Sequence, residues 1–125
     1  MPNITNTMIL TSPLRKIRFE AESRMAKGIL VNGSPFRCDE TSSQRMGEIV
    51  QAFTDGVVDE TEGVQFITAA GVLMTLTSET QARQIFDAMR HYRQACLAAS
   101  ANLQTDPPTV VSDDAHWPVP GSITV

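Results

Sequence analysis

Asn32-Gly33 lies between two short runs, Ile29-Leu-Val31 and Ser34-Pro-Phe36, and no other dipeptide restricts the fold of this chain so tightly. Two adjacent residues suited to positive φ make a type I′ turn, whose twist matches that of paired strands. A hairpin is therefore expected over Gly28–Cys38. Pro35 has no N–H to offer a ladder, which places its strand at a sheet edge or a bulge.

Helical patterns flank this hairpin. Upstream, Ser12-Pro13 reads as a hydroxyl cap followed by proline at the first helical position. Leu14, Ile17, Ala21 and Met25 then recur at spacings of three and four, giving one apolar face. Gly28 is the expected stop, with Lys27 suited to the negative end of the helix. Downstream, Asp39 caps a second helix, and Thr41 with Gln44 offers a capping box one step later. Met46, Ile49, Val50 and Phe53 form its apolar stripe, and Asp55-Gly56 ends it. After an acidic loop over 57–63, Val64–Thr68 and Val72–Leu76 read as a second hairpin joined by Ala69-Ala70-Gly71. Ser78 and Gln81 open the longest helix, whose inner face is Ala82, Ile85, Phe86, Met89, Tyr92, Cys96 and Ala99, and which fades near Leu103.

The expected fold class is α+β, with three helices and two short β-hairpins in the order helix-hairpin-helix-hairpin-helix and with extended N- and C-terminal arms. The arms are residues 1–11 and 105–125, and the compact domain is 12–104. A chain of 125 residues makes one domain with a modest core. That core is expected on Met46, Ile49, Val50, Phe53, Phe66, Ile85, Phe86 and Met89.

Charge is low and unevenly spread. Residues 1–38 carry six basic side chains against two acidic, whereas 39–64 carry seven acidic against one basic. The two stretches are expected to face each other, within the fold or between copies. Nucleic acid is not expected as a partner, because the basic residues have no interleaved aromatics for base stacking and the chain's net charge is −4. No stretch reaches the length of a membrane span or resembles a signal peptide, and two cysteines make no disulfide framework. A reducing cytoplasm with free thiols is the expected site of synthesis.

Residue types that could carry chemistry do not converge. His91 and Tyr92 are neighbours on the long helix and diverge around it, and His116 has no ligand at metal spacing. Cys38 and Cys96 read as small buried hydrophobes, lacking the paired base of a reactive thiol. Asp59-Glu-Thr-Glu62 lacks the glycine and distal glutamate of a calcium loop. No glycine-rich phosphate loop occurs. No catalytic residue, metal, cofactor or small-molecule substrate is expected.

The arms carry the expected binding residues. The C-terminal arm holds Pro107, Pro108, Pro118 and Pro120 and the only tryptophan, Trp117. Tryptophan is enriched among interface anchors, Ile123 and Val125 alternate with polar neighbours as an added strand would, and Val119 adds a further apolar group. Ile4 and Ile9 are the corresponding anchors of the N-terminal arm. Arms of this composition order only against something, so Trp117, Val119, Ile123, Val125, Ile4 and Ile9 are expected to bind neighbouring subunits.

From Arg24 to Asn102, about 80 of the 125 residues, the chain resembles a small bacteriophage and prophage domain of unknown function found in or beside tail-fibre and other tail-associated proteins. The matching pieces are Phe36-Arg-Cys-Asp39, Ser43 to Phe53, the strand pair Phe66 to Thr77, and the Ala- and Gln-rich helix Gln81 to Leu103. The second hairpin departs from the commoner pattern, with Phe66 and a short Ala69-Ala70-Gly71 turn in place of a tryptophan and a longer polar turn. The resemblance implies a non-enzymatic virion protein of the tail, fibre or neck, made in the host cytoplasm and bound to other virion proteins and to copies of itself. The alternative is a tail or tail-fibre assembly chaperone absent from the mature virion. A third reading is a nucleic-acid-binding regulator using Arg15, Lys16, Arg18 and Arg24.

Overall fold

The structure, a computed structural model, describes residues 12–125. Three helices form, as the caps require: α1 over Pro13–Lys27, α2 over Glu40–Thr54 and α3 over Glu79–Thr105. The Ser12 hydroxyl accepts the Arg15 N–H at 3.2 Å, and the Ser78 hydroxyl accepts the Gln81 N–H at the same distance. The Gln81 side chain does not close the reciprocal half of a capping box. Its carbonyl instead accepts the N–H and the hydroxyl of Thr77, one residue earlier. At α2 the cap is Asp39, and Thr41 is exposed.

Strands β1 (Ile29–Val31) and β2 (Ser34–Phe36) pair antiparallel around the Asn32-Gly33 turn. Asn32 and Gly33 have φ of 51° and 81°, as a type I′ turn demands. Pro35 sits on the edge strand β2, opposite Leu30. Strands β3 (Val64–Ile67) and β4 (Leu73–Leu76) form a separate two-stranded ribbon. The ribbon is fastened to the first hairpin by Phe66, whose ring stacks on Phe36 at 5.1 Å.

Helix α3 is the central post, with α1 and α2 both packed on it and β1 against it. Ile17, Ala21 and Met25 of α1, Met46, Val50 and Phe53 of α2, and Ala82, Ile85, Met89, Tyr92 and Cys96 of α3 meet in one core with Ile29, Val31, Phe36 and Leu76. Several residues expected inside lie at its margin. Leu14 is exposed, while Ile49, Phe66, Phe86 and Ala99 are half-buried and flank the core. Phe86 rests its ring where Gly47 leaves room: a Cβ on Gly47 would stand 3.2 Å from it.

Residues 106–125 run largely extended, but along their own domain. A short 3-10 turn at Asp114–His116 is followed by a two-residue strand β5 (Ser122–Ile123), which pairs parallel to β1. The sheet order is thus β2-β1-β5, with β1 in the centre.

Candidate interaction surface

The expectation that Trp117 anchors a neighbouring subunit is corrected by its position. Its side chain is 5% exposed and belongs to the core of its own chain. The indole N–H donates to the Val111 carbonyl at 2.7 Å, and the Arg24 guanidinium lies 5.5 Å from the ring centroid. Arg24 also donates to the Asp114 carboxylate at 2.7 Å and to the Ser112 carbonyl at 3.0 Å. Ile123 and Val125 are likewise half-buried on their own domain. The Leu30 N–H donates to Gly121 and the Asn32 N–H to Ile123, and the Asn32 side-chain amide both donates to and accepts from the Val125 backbone. Val119 alone among the expected C-terminal contacts is free, at 87% exposure. Ile4 and Ile9 lie outside the described residues.

A different apolar surface stands at the tip of the β3–β4 ribbon. Val64, Phe66, Met74 and Leu76 turn inward, so strand alternation sends Ile67 and Leu73 outward. These two are directly opposed across the ladder and are 68% and 59% exposed, with Val72 beside them at 50%. The tip is held in shape by Thr68, which is buried. Its N–H donates to the Val72 carbonyl and its hydroxyl accepts the Val72 N–H. The signal for this surface was present in the sequence: Phe66-Ile67 and Val72-Leu73 are adjacent apolar pairs, and a two-sided ribbon can bury only one of each.

Residues of both charged stretches line one cleft. A cleft of about 330 Å³ between α1, the start of α2 and α3 is lined by Arg18, Glu22, Asp39, Glu40, Arg93 and Leu97. Asp39 there accepts the Ser42 N–H at 2.9 Å and two bonds from Arg37 at 2.9 and 3.1 Å. Burial works against its charged form, but the bonds from Ser42 and Arg37 outweigh it and hold the carboxyl below the usual range. A depressed pKa stabilises the fold above the unfolded value and loses that contribution as pH falls through the folded one. Asp39→Ala is therefore expected to cost about 1 kcal/mol at neutral pH. Urea unfolding should show the gap between variant and parent closing under acid conditions that protonate the cap.

Other candidates do not assemble. His91 is exposed on α3, while His116 lies in the 3-10 turn. Cys38 and Cys96 are fully buried, and burial pushes the Cys38 thiol up to about 12. The Asp59 carboxylate is occupied by Thr61 and by the Glu62 N–H. Among the described residues no group of three metal-ligating side chains occurs, and no helix is long and apolar enough to cross a membrane.

A family model described as a domain of unknown function, DUF4376, matches residues 11–115. The chain belongs to this family. The DUF4376 match takes in all three helices, both hairpins and the exposed ribbon tip, and it stops short of Trp117 and β5. No curated protein and no solved structure matches the chain. Within the DUF4376 domain the ribbon tip sets two exposed aliphatic side chains, Ile67 and Leu73, directly opposite each other on paired strands.

Proposed function

We propose that this protein is a non-enzymatic structural subunit of a bacteriophage particle, associated with the tail, its fibres or the neck. It is made in the host cytoplasm and docks to other virion proteins. The observation that carries this reading is the ribbon tip: three large aliphatic side chains, Ile67, Val72 and Leu73, displayed together on a paired, hydrogen-bonded turn. Contiguous exposed apolar surface of this kind marks protein contacts. The phage context is supported by the sequence resemblance over Phe36–Asp39 and the helices that follow.

The test is mass spectrometry of purified particles. A structural subunit is present at fixed stoichiometry, and Ile67→Asp with Leu73→Asp removes it from particles while leaving the free protein folded. A protein abundant in infected cells but absent from particles would sink this reading in favour of an assembly chaperone.

A further inference from the structure

Charge is placed against local preference at two helix ends. Helix α1 opens with no acidic residue in its first turn, and Arg15, Lys16 and Arg18 stand exposed where the backbone dipole is already positive. Helix α2 closes with no basic residue in its last turn. Asp55 caps it, and Asp59, Glu60 and Glu62 follow on an exposed loop beyond its negative end. Each end carries the sign that its own helix disfavours, and each sign suits the other end.

Nothing within the fold relieves this. Among the described residues, ion pairs join Arg24 to Glu20 and Asp114, Arg37 to Asp39, Arg83 to Glu79 and Arg90 to Asp87, and none involves either group. Residues 1–11 contain no acidic side chain to offer α1. Nor can the two ends reach each other. The Thr54 hydroxyl, at the end of α2, donates to the Glu79 carboxylate at the start of α3. Thr109 and Val110, just past the other end of α3, line a groove with Lys16 and Phe19 of α1. The length of α3 therefore separates them, and its 27 residues span about 40 Å.

The groove on α1 is apolar between its cations. Phe19 and Val110 are exposed along it, and the Arg15 guanidinium lies 5.0 Å from the Phe19 ring centroid. Glu20, in its wall, is held by Arg24 at 3.6 Å. The acidic loop has an apolar point of its own. The Val57 N–H donates to the Ala52 carbonyl and the Gly63 N–H to the Asp59 carbonyl, a bonded turn that leaves Val57 exposed ahead of the acids.

We infer that the α1 groove takes the 55–62 loop of a second copy of this chain. Val57 meets Phe19 and Val110, and the loop carboxylates meet Arg15, Lys16 and Arg18. One surface joins a different surface, so a pair of copies leaves one groove and one loop free, and further copies add head to tail. The contact uses neither the ribbon tip nor the phage context, and it holds or fails on the purified protein alone.

Sedimentation velocity of the full chain tests it. At low ionic strength the mass should rise with concentration above the 13.7 kDa of one chain. At about 1 M salt, where screening acts within about 3 Å, it should return to that value. Arg15→Glu, Lys16→Glu and Arg18→Glu together make one reversed variant, and Asp55→Lys, Glu60→Lys and Glu62→Lys make the other. Each reversal gives its own helix end the favoured sign, so neither works against folding. Each variant alone should keep the mass of one chain. An equimolar mixture should associate again, the reversed groove of one taking the reversed loop of the other. The proposal is overturned if the parent keeps the mass of one chain at every concentration and salt, or if either variant associates as the parent does. A mixture that does not regain association overturns it too. Salt-sensitive binding of duplex DNA by a parent that stays monomeric would assign the basic face of α1 to nucleic acid instead.

Discussion

Gly28→Ala is expected to leave little folded protein. Gly28 joins α1 to β1 at φ 70° and ψ −149°, a region that only glycine enters readily. A Cβ there would stand 1.6 Å from the Phe36 carbonyl oxygen, which is backbone and cannot swing aside. The Gly28 N–H is meanwhile committed to the Arg24 carbonyl at 3.0 Å, closing the end of α1. Relief would require the helix end and the hairpin to separate, and with them the packing of Ile29 and Phe36. A loss of about 4 kcal/mol or more is expected, against a total of a few times that for a domain of this size. Gly33→Ala is the control. Gly33 also has positive φ, yet nothing lies within 4 Å of its would-be Cβ. Its cost should be only the conformational one, roughly 1–2 kcal/mol. Urea unfolding of the pair separates clash from strain, and similar modest losses at both sites would show that α1 and the hairpin are not locked at Gly28.

Trp117→Ala is expected to destabilise the domain itself, by about 3–5 kcal/mol. The side chain is buried against Arg24 and Tyr92, and its removal leaves a cavity and an unbonded Val111 carbonyl. Val119→Asp, two residues away, should change stability by no more than about 0.5 kcal/mol, because Val119 is almost wholly in solvent. Thermal unfolding of the two variants distinguishes a core residue from a surface one. Equal stabilities would return Trp117 to the surface.

These two sites also divide what could be read in the sequence from what could not. Gly28, the Asn32-Gly33 turn and the caps Ser12, Asp39 and Ser78 were legible because each acts within four residues of itself. Helix faces were legible to within their margins. Phe86 and Ile49 fall in the apolar phase of their helices, yet they pack against the core from its margin and stay half-buried. Trp117 was misassigned because its signal is the same in either setting. A large indole in an extended, proline-flanked segment suits burial in a neighbour or in its own chain, and only the long-range position of Arg24 decides. The alternation of Ile123 and Val125 signals an added strand, but β5 is two residues long and too short to specify that the edge it joins is β1 of its own chain. The ribbon tip is visible in the paired apolar residues, but the same pattern reads equally as ordinary strand.

The parallel pairing of β1 with β5 imposes an order in time. Val125 is held by Asn32 across 93 positions of chain, whereas β2 pairs with β1 as soon as the intervening turn is made. Synthesis runs from the N-terminus, and a domain folds as a unit. Residues of α1, β1 and β2 are therefore synthesised well before the third strand exists, and before α3, the post on which α1 and β1 pack. Throughout that interval the N–H groups of Leu30 and Asn32 face solvent as an unpaired edge. Nascent chains on one message hold such edges side by side, so the half-finished domain is the state most exposed to mispairing.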